Sequence, residues 1–322
     1  MKLPPRRWTL AIIPGILLLI GQVWAAEAST PEPNPLAGVI DFHCHTAPDV
    51  QNRSLSDFDL VREAKTDGMR GIVLKNHFSP TADRAELAMK EIGGIEVFGG
   101  IVLNRSVGGL NVEAIRRMAQ MEGHRGKVVW LPTQDAQAQV LQSKSKQPFI
   151  AVVKDGKAVP ELAEIFSFIA QNDIVLETGH SSAAEAIILA DAAKKAGVKK
   201  IVITHAMALP LGGATDAQLQ RMADLGAVIE CTWLAQMGNT RSTPAPDGDP
   251  KVKLTDYVRV IKAIGAEHFL ISSDMGQPGN PTHPEAMRAF VVGLKQAGLT
   301  DHEIDLVARV NPARLLGLDK AE

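Results

Sequence analysis

Nine histidines occur in the 322-residue sequence, and four of them, with one aspartate, stand out by where they fall. His43 and His45 form an HxH pair at the end of GVIDFHCH. His180 closes ETGH, His205 closes IVITH and Asp274 closes ISSD. Each sits at the end of a short, β-rich apolar run or just past it. Residues two apart on a strand point to the same side, so both imidazoles of the pair can enter one site. Polar groups gathered in this way are costly to bury unless they bind something. Imidazole with carboxylate suits a divalent metal: zinc first, with manganese, iron or nickel as alternatives. Such a metal can activate water for attack on a carbonyl or phosphoryl group.

The elements that must position these residues read as strands alternating with helices. The strands are expected at Gly38–His45, Met69–Asn76, Ile95–Leu103, Lys127–Leu131, Asp173–Glu177, Lys200–Thr204, Ala227–Thr232 and His268–Ser272. Helical periodicity follows at Leu55–Thr66, Ala82–Ile92, Val112–Met121, Glu161–Ala170, Ala183–Ala196, Asp216–Leu225, Thr255–Ile264 and Glu285–Gln296. Several of these helices stop at a glycine, which takes the left-handed cap without a Cβ penalty. Near-continuous apolar strands, each followed by a helix, predict an α/β fold: a single-domain (β/α)8 TIM barrel. The five candidates then share the C-terminal mouth, where such barrels carry their sites. Asp155-Gly156, between the fourth and fifth strands, predicts a small hairpin. Ala235–Lys253, rich in Pro, Gly, Thr and Asp, predicts a long loop on the active-site face, a lid or a substrate-binding element, the alternative being a disordered insertion.

The first residues do not read as part of that barrel. Lys2, Arg6 and Arg7 precede an apolar run, Trp8–Val23, and small residues follow at Ala25, Ala26 and Ala28. This is the pattern of a secretory signal peptide over residues 1–26, the alternative being a retained membrane anchor. Residues 27–37 read as a flexible, Pro-rich leader, and residues 38–320 as the barrel. The protein is therefore expected to be secreted or periplasmic, with no stable membrane insertion after cleavage. The formal net charge is −2 and no basic patch appears, which argues against nucleic acid as a partner. GxGxxG and GxxxxGK[ST] are both absent, which argues against a nucleotide cofactor. Aromatic residues make up 4% of the chain, which gives no stacking platform for sugars or bases. Trp130 and Trp233 are the large apolar surfaces nearest the mouth, as substrate contacts or as core. The partner that remains is a small-molecule substrate, and a homo-oligomer is compatible with the sequence. Cys44 and Cys231 fall in strands that are not neighbours and are expected to be free, buried thiols.

HCH, ETGH, ITHA, SSD and the closing NPARLLGL together resemble the amidohydrolase superfamily of metal-dependent hydrolases, over essentially the whole expected mature chain. The resemblance implies that His43, His45 and Asp274 hold the more buried metal. It implies that His180 and His205 hold a second metal or serve a single one, and that Asp274 takes the proton from the attacking water. One departure stands out. The fourth strand, KVVWLPTQD, lacks the lysine or glutamate that bridges two metals in many such enzymes; Asp135 is its nearest acid. On the second strand Lys75 and His77 share a side. Lys75, if carboxylated by carbon dioxide, would be the bridging ligand; as an ammonium it would instead steer an anionic substrate. His77 is expected to be a catalytic substrate contact or a donor behind the ligands. Glu177 could orient a ligand imidazole or point outward, Arg105 and Gln134 could line the mouth, and His283 could approach from the loop after the last strand. His124, His268 and His302 are expected to be structural or exposed.

The function expected is hydrolysis of an amide, lactone, ester or phosphoester bond, with one or two divalent metals as cofactor. The alternatives are a mononuclear decarboxylase or lyase on the same scaffold and a non-catalytic metal-binding protein of the envelope.

Overall fold

The computed structural model describes residues 1, 2, 4, 33–237 and 252–318. Residues 3 and 5–26 of the expected signal peptide, residues 27–32 of the leader and the centre of the expected loop, 238–251, lie outside the described residues. The compact unit Asn34–Glu322 carries every element that follows. Its strands are β1 Ile40–His45, β2 Gly71–Lys75, β3 Glu96–Val102, β4 Gly126–Trp130, β5 Val153–Lys154, β6 Lys157–Ala158, β7 Val175–Glu177, β8 Ile201–Ile203, β9 Val228–Thr232 and β10 Phe269–Ser272. Its α-helices are α1 Asp57–Thr66, α2 Ala82–Ile92, α3 Val112–Gln120, α4 Gln137–Gln142, α5 Leu162–Gln171, α6 Ala183–Lys195, α7 Asp216–Asp224, α8 Leu234–Met237, α9 Leu254–Ile264, α10 His283–Gln296, α11 Asp301–Asp305 and α12 Asn311–Leu316.

Eight parallel strands form one sheet in the order β1-β2-β3-β4-β7-β8-β9-β10. β5 and β6 form the separate antiparallel hairpin expected at Asp155-Gly156. The ring closes where β1 meets β10. His45 N–H donates to Met275 O at 3.1 Å and Asp274 N–H to His43 O at 3.0 Å. Asp41 fastens the same seam, its Oδ1 accepting from Ser273 N–H at 2.9 Å and His43 N–H at 3.2 Å. Thus the (β/α)8 barrel expected from the strand–helix alternation is the architecture found.

The strands alternate between two apolar environments. Ile72, Leu74, Val129, Leu176, Ile203, Ile229 and Ile271 pack outward against the helices. Val73, Val128, Val175, Val202, Val228 and Leu270 fill the barrel interior. Cys44 and Cys231 are free and buried in the outer layer. The inner positions nearest the mouth change character: Lys75, Glu177, Thr204, Glu230 and Ser272 are all buried and polar, each two residues beyond an interior apolar residue. A register shift between Asp41 and Cys44 lets Phe42 join the interior cluster while Cys44 faces out. It is this irregularity that frees the HxH pair from simple alternation.

Several loops feed their helices through side-chain caps. Ser56, Ser182, Thr215, Thr282 and Thr300 each form a capping box, which satisfies amides the first turn leaves open. Thr282 also corrects one expectation. His283 lies not in a loop but at the start of α10, because Pro284 is compatible with a first helical turn. The loop expected from Ala235 begins instead inside α8. The sequence reading did not anticipate α4, nor the run of α11, a π-turn at Leu306–Val310 and α12. That last run matters to the barrel, because Ala313, Leu315 and Leu316 join its interior cluster. Among the described residues no helix is long and apolar enough to cross a membrane.

Candidate metal centre and active site

The HxH pair ends β1 and Asp274 follows β10, so the seam of the barrel brings them together. His43 Nε2 lies 3.1 Å and His45 Nε2 3.3 Å from Asp274 Oδ1. One ligand atom from each of the three lies within 4.8 Å of the others. His205 follows β8 and His180 follows β7. Together with His77, beyond β2, these imidazoles form a circuit. Ring centroids are 5.1 Å apart for His43 and His45, and 4.7 Å for His45 and His77. They are 5.9 Å apart for His77 and His180, 5.0 Å for His180 and His205, and 6.3 Å for His205 and His43. All the sequence-predicted ligands therefore meet at one mouth. Both His205 (φ +30°) and Asp274 (φ +55°) have left-handed backbones, a conformation that non-glycine residues hold only when the surroundings impose it.

Supporting groups fix which imidazole nitrogen faces the cluster. His43 Nδ1 donates to Glu230 Oε1 at 3.0 Å, His45 Nδ1 to the carbonyl of Lys75 at 3.2 Å and His180 Nδ1 to Gln139 Oε1 at 3.1 Å. With the proton on Nδ1, each Nε2 offers a lone pair, as a metal ligand must. Nδ1 of His205 is buried and has no hydrogen-bond partner among the described residues. These donors fit a divalent cation in both type and orientation.

Glu230 is the functional residue that the sequence reading missed. Its Oε1 also accepts from Ser272 Oγ at 2.6 Å, and its Oε2 from His205 N–H at 2.8 Å. Burial opposes its charge, but His43, by charge and hydrogen bond, and then His205 hold it below the usual glutamate range. The signal was in VIECT: Val228, Glu230 and Thr232 alternate on one face, and an acid between two inward positions has to meet a partner. Glu177, expected either to orient an imidazole or to point outward, does neither. It follows Val175 on the inner face and accepts from Thr204 Oγ1 at 2.8 Å. Burial, reinforced by Glu230, pushes its carboxyl up to about 8.

Lys75 ends β2, fully buried, with Nζ 2.9 Å from His43 Nε2 and 5.3 Å from the Trp130 ring centroid. Burial lowers its pKa, against the opposing pull of Asp274, Glu177 and Glu230. Burial also weakens the charge of Asp274, but His43, His205 and Lys75 keep its carboxyl below the usual range. His43 shows the converse: burial works against its charge, and Asp274 nevertheless draws its pKa up. His45, His77 and His180 are held well down, chiefly by burial.

The remaining expectations sort by contact. Trp130 is core beneath Lys75, not a substrate surface, and Trp233 packs on Phe290 at 5.7 Å. Arg105 binds Asp135, with Nε 3.1 Å from Oδ1, so that acid serves the neighbouring loop. Gln134 takes a hydrogen bond from Gln147 through its carbonyl. His283 is buried, and burial brings its pKa down to about 4. His124 and His302 are exposed.

Residues 38–230 match the model of a family described as a family of unknown function, DUF6282. The chain belongs to this family. The DUF6282 match includes every histidine of the circuit and Glu230, and ends before Asp274. No curated protein matches this DUF6282 chain. Solved structures do. An amidohydrolase from Pseudomonas aeruginosa superposes with a TM-score of 0.60 at 12% identity, over 88% of this chain and 96% of that one. A 2,6-dihydroxybenzoate decarboxylase from Rhizobium gives 0.56 at 13%, over 88% and 100%. An organophosphorus hydrolase from Deinococcus radiodurans gives 0.55 at 16%, over 88% and 94%. At such identities the likeness is one of fold, the (β/α)8 barrel expected from the strand–helix alternation.

Proposed function

We propose that this protein is a metal-dependent hydrolase acting on an amide, lactone, ester or phosphoester bond of a small molecule. The observation that carries this reading is the convergence of His43 Nε2, His45 Nε2 and an Asp274 oxygen at the barrel mouth. His43, His45 and Asp274 would hold a divalent metal, zinc by preference, and His180 with His205 would hold a second or complete the first. Such a metal, when bound, supplies Lewis acidity and acidifies water. The chain's own residues do the rest. Asp274, held as a carboxylate by its cationic neighbours, accepts a proton from the attacking water and returns it to the leaving group. Glu230 fixes His43 through Nδ1 and His205 through its backbone.

Lys75 decides the metal count in this reading. Carboxylated, it is the bridging ligand of a two-metal site. As an ammonium on His43 Nε2 among Glu177, Glu230 and Asp274, it is a fixed cation beside a single metal, which favours the decarboxylase or lyase alternative. Metal content per chain, measured after preparation with bicarbonate and excess zinc, separates the two. In the first case Lys75→Ala drops the count from two toward one; in the second it leaves one.

The reading as a whole is tested by metal analysis and a hydrolysis panel on the same samples. His43→Ala or Asp274→Ala should lose the metal and all turnover, whereas His124→Ala and His302→Ala should keep both. Undiminished metal and hydrolysis in His43→Ala would end the proposal. Export to the periplasm or medium is part of the same reading and rests on residues 1–28; a mature N-terminus near Ala26 to Ala28 is the expected result of N-terminal sequencing.

A further inference from the structure

His77 differs from the ligand imidazoles in the group that faces its Nδ1. Nδ1 of His43 meets a carboxylate and that of His45 a backbone carbonyl, groups that here only accept. Nδ1 of His77 meets the hydroxyl of Thr133 at 2.8 Å, which can either donate or accept. Asn104 settles the direction. Its Oδ1 accepts from the backbone N–H groups of Thr133 at 2.8 Å and Asp135 at 3.3 Å. The carboxamide is therefore oriented, and its Nδ2 donates to Thr133 Oγ1 at 2.8 Å and to the carbonyl of His77 at 2.9 Å. The Thr133 oxygen already receives a hydrogen from Asn104. Among the described residues, the acceptor left for its own hydrogen is His77 Nδ1. Thr133 is fully buried, so any other arrangement leaves a buried hydroxyl donor without a partner.

We propose that His77 is locked as the Nε2–H tautomer and is the hydrogen-bond donor to the substrate oxygen that gains negative charge, with Thr133 and Asn104 as positioning residues. This rests on the hydrolase reading of the same site and narrows it. The substrate presents a carbonyl or phosphoryl oxygen to His77, and His77 is not a metal ligand, because its Nε2 has no lone pair to give. The ring stands 4.7 Å from His45 and 5.9 Å from His180, within the circuit that surrounds the reacting bond. Because the Thr133 hydroxyl gives its hydrogen to Nδ1, the proton that His77 presents is carried on Nε2. A donor set in place before the charge develops needs no reorganisation as it forms.

The test is nitrogen-15 NMR of histidine-labelled full-length protein, metal-free and titrated with Zn²⁺, with the His77 signals identified by their loss in His77→Gln. His77 should show a protonated Nε2 and a bare Nδ1 before and after zinc, while His43 and His45 keep Nδ1–H and shift on titration. Thr133→Val removes the hydroxyl at nearly constant volume and should release His77 into the other tautomer; Thr133→Ser should restore the first. A wild-type His77 protonated at Nδ1 overturns the inference, as does an unchanged His77 in a folded Thr133→Val protein. Histidines that ignore zinc while His77 keeps its tautomer would instead remove the metal-dependent reading. On any ester or amide that proves to be a substrate, His77→Ala should lower kcat by roughly 10²–10³-fold, the usual loss for a donor of this kind.

Discussion

Glu230 reaches three groups with one carboxylate: the imidazole of His43, the hydroxyl of Ser272 and the backbone of His205. A glutamine in its place has one accepting oxygen and an amide nitrogen that can only donate, so at least one of these donors loses its acceptor. Glu230→Gln should therefore weaken metal binding by about 10–100-fold, the usual consequence of disturbing a group behind a ligand, while the fold survives. Competition titration against a chelator reads this directly, and an unchanged affinity would show that His43 holds its tautomer unaided. The candidate ligands were legible in the sequence because four histidines and an aspartate fall together at the ends of apolar runs, a gathering that is costly unless it binds something. Glu230 was not, because it lies inside a strand that reads as apolar, and Glu177, at the end of β7, was singled out without its actual contact. Their meaning depends on which face turns inward, and on a neighbouring strand to supply the partner.

Among the elements, the turn after β7 shows how closely backbone and site are fitted. Gly179 has φ +64°, and a Cβ added there would stand 2.3 Å from the carbonyl oxygen of Leu131. The next residue, His180, donates its N–H to Pro132 O at 3.0 Å. Gly179→Ala should cost about 1–3 kcal/mol through the strained backbone, with more from the clash, and should displace His180 away from His205. A lowered Tm, with the HxH side of the site still binding metal, is the expected pair of results; a variant as stable as wild type would argue against the strain. The long strands and helices were readable from periodicity, and their caps from serine and threonine. α4 and the α11–α12 run were not. α4 spans six residues, too few for a periodic signal. α12 exists to fill the barrel, and only the assembled barrel defines the space it fills.

The barrel of Asn34–Glu322 is apolar inside at one end and polar at the other. Ala313, Leu315 and Leu316 of α12 close the interior. Arg309 ties the same region to the start of the barrel by donating to the carbonyls of Ala37 at 2.7 Å and Pro35 at 3.0 Å. The other end is the polar mouth. A (β/α)8 barrel was predictable because its repeating alternation leaves few other ways to pair eight apolar strands. The closing seam was not, since it depends on an aspartate and a bulge instead of a long ladder.

That seam would make the candidate ligand set a clasp. Asp41 and Ser273, joined across it, are 232 positions apart in the chain, and His43, His45 and Asp274 flank the same junction. A cation gripping all three would close nearly the longest loop the barrel possesses, and clips on long loops restrict the unfolded chain most. Breathing of the barrel should then open first along this line when the cation is withdrawn. Hydrogen exchange at the amides of His45 and Asp274, which bridge the junction, should speed up on chelation far more than at the β4–β7 ladder on the opposite wall, with Tm falling in step as the free metal concentration drops. Uniform acceleration around the ring would show that the cation stabilises the barrel as a whole and not at its join.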